Sequence, residues 1–330
     1  MPRVFLIDTD TASDDAVALL MALRWPDVEV TAITVVAGNM PLERGARNAL
    51  YTVELCGASV PVHPGAAKPL VRDNYHAEWF HGEDGMGNMH YPPPAGRPAN
   101  AHAVDAILDA VQRYPGLTLV TLGPLTNIAL AVQRDPGFVG GVGRAVVMGG
   151  AACTAGNVTP AAEYNIWVDP EAARIVFRSG LPIEMVGWEL SRGAANLLGP
   201  DIETIRGFDT DLAHFTLDCN RVVMQSTRTQ SRDPGLGLPD PVAMAIALEP
   251  AVCTAKSRHH VEVETDSELT RGMTVVDRFG RARDDINQPA WGALTSGAEN
   301  VTVCWEIDPA KWKQVLFSVL RRRYGSRENN

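Results

Sequence analysis

Asp8, Asp10, Asp14 and Asp15 crowd into the stretch VFLIDTDTASDDAVALLMAL, residues 4–23, and no Lys or Arg lies between Arg3 and Arg24. Carboxylates this dense repel one another and are driven towards protonation unless a cation compensates. A hard divalent ion is the economical partner, since Ca2+ takes about six to eight oxygen ligands from carboxylates, carbonyls and waters. A capped helix with an acidic first turn, Thr11 or Ser13 at its start, accounts for Asp14 and Asp15. It leaves Asp8 and Asp10 unexplained.

Three other stretches could serve the same chemistry. GLPDPVAMAIAL (237–248) sets Asp240 just before a helical pattern, where it is either an N-cap or a further ligand. TLGPLTNIALAV (121–132) reads as strand, tight turn and helix, and its turn carbonyls can face the same place. GNVTPAAEYNIWVDPEAA (156–173) is too polar and irregular for core. Its Asn157, Glu163 and Asn165 suit a polyhydroxylated ligand, because each sugar hydroxyl can donate to a carboxylate and accept from an amide. Asp169-Pro170 in the same stretch reads as a helix start.

The elements that must position these groups follow from apolar patterning. Runs of Val, Ile and Leu at 4–8, 28–38, 117–123, 145–150 and 183–189 read as buried parallel strands. Helical patterns lie between and after them, at 15–24, 41–56, 101–113, 125–134, 170–178 and 241–249. This alternation predicts an α/β fold: a single domain over 1–330 with a mainly parallel, Rossmann-like open central sheet flanked by helices. Ligands of such sheets bind outside the carboxyl ends of the strands, where Asp8 and Asp10 fall. Two Gly/Pro/His-rich insertions, 63–100 and 226–240, are read as active-site loops. His259 and His260, beside a late strand pattern, are read as surface residues.

Composition narrows the partners. A formal charge of −10 argues against a nucleic-acid backbone, and the basic run LRRRYGSR (320–327) is read as a solvated helix end. No apolar segment approaches the roughly 18 residues of a membrane span. MPRVFLIDTD runs straight into a strand without a signal-peptide pattern, so the expectation is a soluble, cytoplasmic chain with no membrane partner. Five widely spaced cysteines with no C-x-x-C pair suggest neither a disulfide framework nor a zinc site.

Taken together, these motifs resemble the nucleoside hydrolases. The family signature D-T-D-x-G-x-D-D-A-x-A-L is matched by DTDTASDDAVAL (8–19), with Ala12 where the family usually has Gly. TVVAGN (34–39), HGEDGMG (81–87), LGPLTNIALA (122–131), MGGAACTAGNVTPAAEYNIWVDPEAA (148–173) and LPDPVAMA (238–245) match further motifs in order. The resemblance implies hydrolysis of the N-glycosidic bond of ribonucleosides through an oxocarbenium-like transition state. It implies Ca2+ held by Asp10, Asp15, Asp240 and the main-chain carbonyl of Thr126, with Asp10 also the base that deprotonates a metal-held water. Asp14, Asn39, Asn157, Glu163 and Asn165 correspond to ribose-binding residues, Met148 packs near the sugar, and Asp8 is supporting. His81 matches a loop position able to act on sugar or base.

One branch of the family has His before the last Asp ligand and another has Trp; this chain has Pro239. Trp79 and Trp188 are then the aromatic candidates for stacking on a base, and they tilt the expectation slightly towards purines. The family forms homodimers or homotetramers. Two other readings stand beside it: a non-catalytic nucleoside- or ribose-binding protein on the same scaffold, and a D-x-D phosphohydrolase with Asp8 as nucleophile.

Overall fold

The computed structural model describes residues 2–230, 234–291 and 298–322, with side chains of 227–230 also set aside. Most of the basic run 320–327 therefore lies outside the described residues. Eight strands form the central sheet: β1 (Arg3–Thr9), β2 (Val28–Val35), β3 (Val62–Pro64), β4 (Leu117–Thr121), β5 (Val142–Met148), β6 (Ile183–Val186), β7 (Cys253–His259) and β10 (Val301–Ile307). Their order is β3-β2-β1-β4-β5-β6-β10-β7, parallel throughout except for the β10–β7 pair. β8 (Val261–Val263) and β9 (Thr274–Val276) make a small antiparallel pair of their own. The predicted mainly parallel α/β architecture is what forms.

Strand β1 is buried on both faces. Phe5 and Ile7 point into one apolar layer with the helices Ser13–Leu23 and Pro239–Leu248, while Leu6 points into the other with Ala103–Arg113, Thr126–Arg134 and Pro170–Arg178. This two-sided covering is why the strands read as continuous apolar runs. The helices Ser13–Leu23 and Pro239–Leu248 are buried nearly all round, with contact along their lengths. The sheet reverses its order between β1 and β4, the place where an open α/β sheet leaves a crevice at its carboxyl edge.

Three local readings need correction. The segment 226–240 is not one loop: a helix runs Arg221–Gln230, and Leu236 pairs with Leu197 just before the next helix. His260 is buried, not on the surface, because Ala298 crosses over it and accepts its Nδ1–H at 2.8 Å. Neither Thr11 nor Ser13 caps the first helix; Ala12 holds the cap position and Asp15 reaches back to accept its N–H at 2.9 Å. Among the described residues no helix is long and apolar enough to cross a membrane.

Candidate active site

The β1/β4 switch point gathers the acidic residues. Asp8 lies near the end of β1 and Asp10 just beyond it, Asp14 and Asp15 open the next helix, and Asp240 enters from the first turn of Pro239–Leu248. All five are buried. Carboxylate oxygens of Asp14, Asp15 and Asp240 lie within 4.8 Å of one another, a spacing that suits one shared cation. Asp10 forms the floor, with Oδ2 accepting the Asn39 N–H and Oδ1 buried without a partner. Asp14 Oδ1 is likewise buried and unbonded.

Burial and mutual repulsion both act on the clustered carboxyls. Burial, then the charge of Asp15, drives the Asp10 carboxyl well above the usual carboxylate range. Burial, then the charges of Asp14, Asp15 and Asp10, does the same to Asp240. Burial alone lifts Asp14 to about 6 and Asp8 to about 7. No Lys or Arg ion pair reaches any of these groups among the described residues. The donor set, all hard oxygen with orphaned acceptor atoms, fits Ca2+.

Asp240 is not an N-cap. Pro239 and Pro241 flank it and carry no N–H, so the first turn has few donors to cap; Leu238 takes the cap position and the carboxylate stays available. Thr126 opens its helix, and its hydroxyl donates to Asp169 Oδ2 at 2.6 Å, leaving the carbonyl as what it can offer a ligand. Asp8 is a brace: its Oδ2 accepts from Thr34 Oγ1 at 2.6 Å and from Asn127 Nδ2 at 2.8 Å.

Two glycines make room for Asp10. A Cβ on Gly123 would lie 2.8 Å from Asp10 Oδ1, and one on Gly38 would meet Asp10 Oδ2 and sit 2.7 Å from Pro124 Cδ. Gly123→Ala is therefore expected to displace the Asp10 carboxylate and cost about 1–3 kcal/mol of stability. A urea melt alongside a rate assay checks this; wild-type values for both would refute the tight fit.

The polar segment after β5 lines the crevice's other side. Glu163 caps the short helix Tyr164–Val168, accepting from Asn165 N and Gly150 N at 2.9 Å each, and burial lifts its carboxyl to about 7. Asn165 Nδ2 donates to Leu122 O at 2.7 Å and lies 3.3 Å from Met148 Sδ, while its buried Oδ1 has no partner. Asn157 is exposed, and its Oδ1 accepts the Tyr164 N–H at 2.9 Å.

The 63–100 insertion delivers His81 on a short helix, Glu78–His81. His81 is buried; Nδ1 lies 2.9 Å from Ser13 Oγ and 3.7 Å from Asp14 Oδ1. Burial pulls its pKa down to about 4, so it is neutral near pH 7. Asn48 fastens this loop to the acidic turn, donating to both Thr11 O and Asp84 O at 3.1 Å. Ser13, Asp84 and Asn127 lie inside the quoted motifs without a role assigned to them, and Asn48 lies outside every motif because it acts through contacts distant in the chain.

The aromatic candidates fare differently. Trp79 is 54% exposed and sits edge-on to Phe80. Trp188 has its ring under the Arg192 guanidinium at 4.3 Å and its indole N–H tied to Ala155 O at 2.8 Å. Neither ring joins the carboxylate cluster.

Comparison with known proteins agrees across the chain. A family model described as inosine-uridine preferring nucleoside hydrolase matches residues 5–314. A pyrimidine-specific ribonucleoside hydrolase RihA of Shewanella sp. (strain ANA-3) is 39% identical over 327 residues, 97% of this chain and 96% of that one. An inosine-uridine preferring nucleoside hydrolase of Leishmania major is 40% identical over 296 residues, 88% of this chain and 93% of that one. The solved plant nucleoside hydrolase PpNRh1 superposes with a TM-score of 0.88 at 31% identity, covering 97% of this chain and 99% of its own.

Proposed function

Because this chain belongs to the inosine-uridine preferring nucleoside hydrolase family and is a ribonucleoside hydrolase, we propose that it cleaves pyrimidine ribonucleosides, uridine first, with Asp10 as base and Ca2+ as cofactor. The observation that carries the reading is the buried carboxylate cluster with orphaned oxygens on Asp10 and Asp14. Asp10, Asp15, Asp240 and the Thr126 carbonyl would hold the ion, and the placement of Asp14 adds its carboxylate to that set. When bound, the cation supplies the charge that keeps these carboxylates ionised and the Lewis acidity that makes a water easier to deprotonate.

The chain's own groups do the rest. Asp10 takes the proton of the attacking water. The ionised carboxylates face the ribosyl cation as the glycosidic bond lengthens. Asn39, Asn157, Glu163 and Asn165 hold the ribose hydroxyls, with Met148 beneath the ring. Neutral His81, fixed by Ser13, is a hydrogen-bonding group for sugar or base. Pro239 supplies no proton to the departing base, so leaving-group activation has to come from another residue.

Substrate choice rests on the pyrimidine-specific relative. Free base and ribose should be measured from uridine, cytidine, inosine, adenosine and guanosine, with and without added Ca2+. Faster release from a purine than from uridine would overturn the preference; no release from any would favour the binding-protein reading. Asn165→Ala is expected to raise KM at least about tenfold while metal content stays unchanged, since a buried polar contact to the sugar is lost. Loss of bound metal in that variant would move Asn165 out of the sugar role.

A further inference from the structure

Residues 149–163 join β5 to the short helix Tyr164–Val168 with no helix or strand of their own, and they carry Asn157 and Glu163. The inner turn of this loop is well tied. Gly149 N donates to Val186 O and Trp188 N to Gly150 O, at 3.1 Å each, and Thr274 Oγ1 lies 2.9 Å from both the N and the O of Ala151. Glu189 Oε1 accepts the Ala152 N–H at 3.3 Å. A Cβ on Gly187 would collide with both oxygens of that carboxylate, so the glycine gives it room.

The outer limb, Cys153–Ala155, is held differently. All three residues are exposed, and among the described residues none of them makes a main-chain to main-chain hydrogen bond. Cys153 has a φ of 57°, in the left-handed region, which a residue with a Cβ keeps only where its surroundings impose it. The tie that reaches this limb comes from Trp188, whose indole N–H donates to Ala155 O at 2.8 Å. That donor is itself fixed. Trp188 opens the turn Trp188–Ser191, and its carbonyl accepts from Ser191 Oγ at 2.7 Å. Its ring packs against the apolar core, with the Arg192 guanidinium over it at 4.3 Å. Asn157 follows Ala155 by two residues.

We propose that Trp188 is a positioning residue for ribose binding: its indole N–H pins the limb Cys153–Ala155 and so sets where Asn157 meets the sugar. The inference deepens the proposed function and rests on the sugar-binding role given there to Asn157. A loop held by few bonds owes its order to each of them. Loosening it makes substrate binding also order the loop, which weakens binding without touching the bond-breaking step.

Steady-state kinetics of the full chain with Ca2+ test it, using uridine and inosine on Trp188→Phe, Asn157→Ala and the double variant. Phe keeps a ring beneath Arg192 and removes the N–H. Trp188→Phe is expected to raise KM about fivefold, the worth of one ordinary hydrogen bond, with kcat within about twofold of wild type. Its melting temperature should stay within about 2 °C of wild type, since the exposed limb leaves Ala155 O to water. In the Asn157→Ala background the effect should vanish, because two residues that act through one contact do not add. An unchanged KM in Trp188→Phe, full additivity in the double variant, or a kcat that falls together with the melting temperature overturns the positioning role while leaving Asn157 on the sugar. A wild-type KM in Asn157→Ala removes the sugar role of Asn157 itself, and the inference falls with it.

Discussion

Asp10→Ala is expected to lower kcat by several orders of magnitude. General-base catalysis alone accounts for about 10²–10⁴, and loss of a cation-facing oxygen adds to it. The effect should fall on turnover more than on folding, because removing one of several mutually repelling buried carboxylates relieves repulsion in the metal-free chain. Steady-state kinetics with metal analysis and a melting curve separate these contributions. A rate within a few-fold of wild type would dispose of Asp10 as the base.

Chelating divalent cations is expected to abolish turnover and to lower the melting temperature, more at pH 8 than at pH 5.5. The sign follows from where the protons sit. Asp8 and Asp14 have ordinary values of 3.8 that burial raises to about 7 and about 6, and Glu163 rises from 4.5 to about 7. Between the unfolded and folded values the native chain holds protons that the unfolded chain has released, so stability falls as pH rises through that window. A cation that binds only the native chain offsets the loss, by about 4 kcal/mol at a thousandfold excess over its Kd. For a domain of this size that is roughly 6 °C. Differential scanning calorimetry with EDTA and with excess Ca2+ at both pH values gives the comparison. Superimposable melts at pH 8 would mean that protonation alone satisfies the cluster.

Much of this was legible in the sequence because the chemistry is local at the acidic turn and the strands are apolar throughout. The run at 4–8 lies inside β1, and the helical pattern at 170–178 coincides with Pro170–Arg178. What escaped was set by partners far along the chain. Asp240 has the residue type of a cap, but its two flanking prolines shift the helix start, which composition alone does not announce. Trp188 and Trp79 have equal stacking potential on paper; only the fold shows Arg192 over one and solvent around the other. The helix Arg221–Gln230 was read into a loop at its end because its polar residues, STRTQ at 226–230, lack an apolar stripe. His260 looked exposed because the residue that covers it, Ala298, is nearly forty positions away.

The carboxylate triad joins the start of the chain to a late helix. Asp14 and Asp15 leave the ribosome early, whereas Asp240 emerges after β6 and the helices that follow it. The helix Pro239–Leu248 then has to dock beside Ser13–Leu23, a place its partner cannot fill alone. Until it does, the carboxylates of Asp14 and Asp15 lack the third member of their cluster. The cluster is thus a long-range product of the fold, absent from any fragment that stops before Asp240.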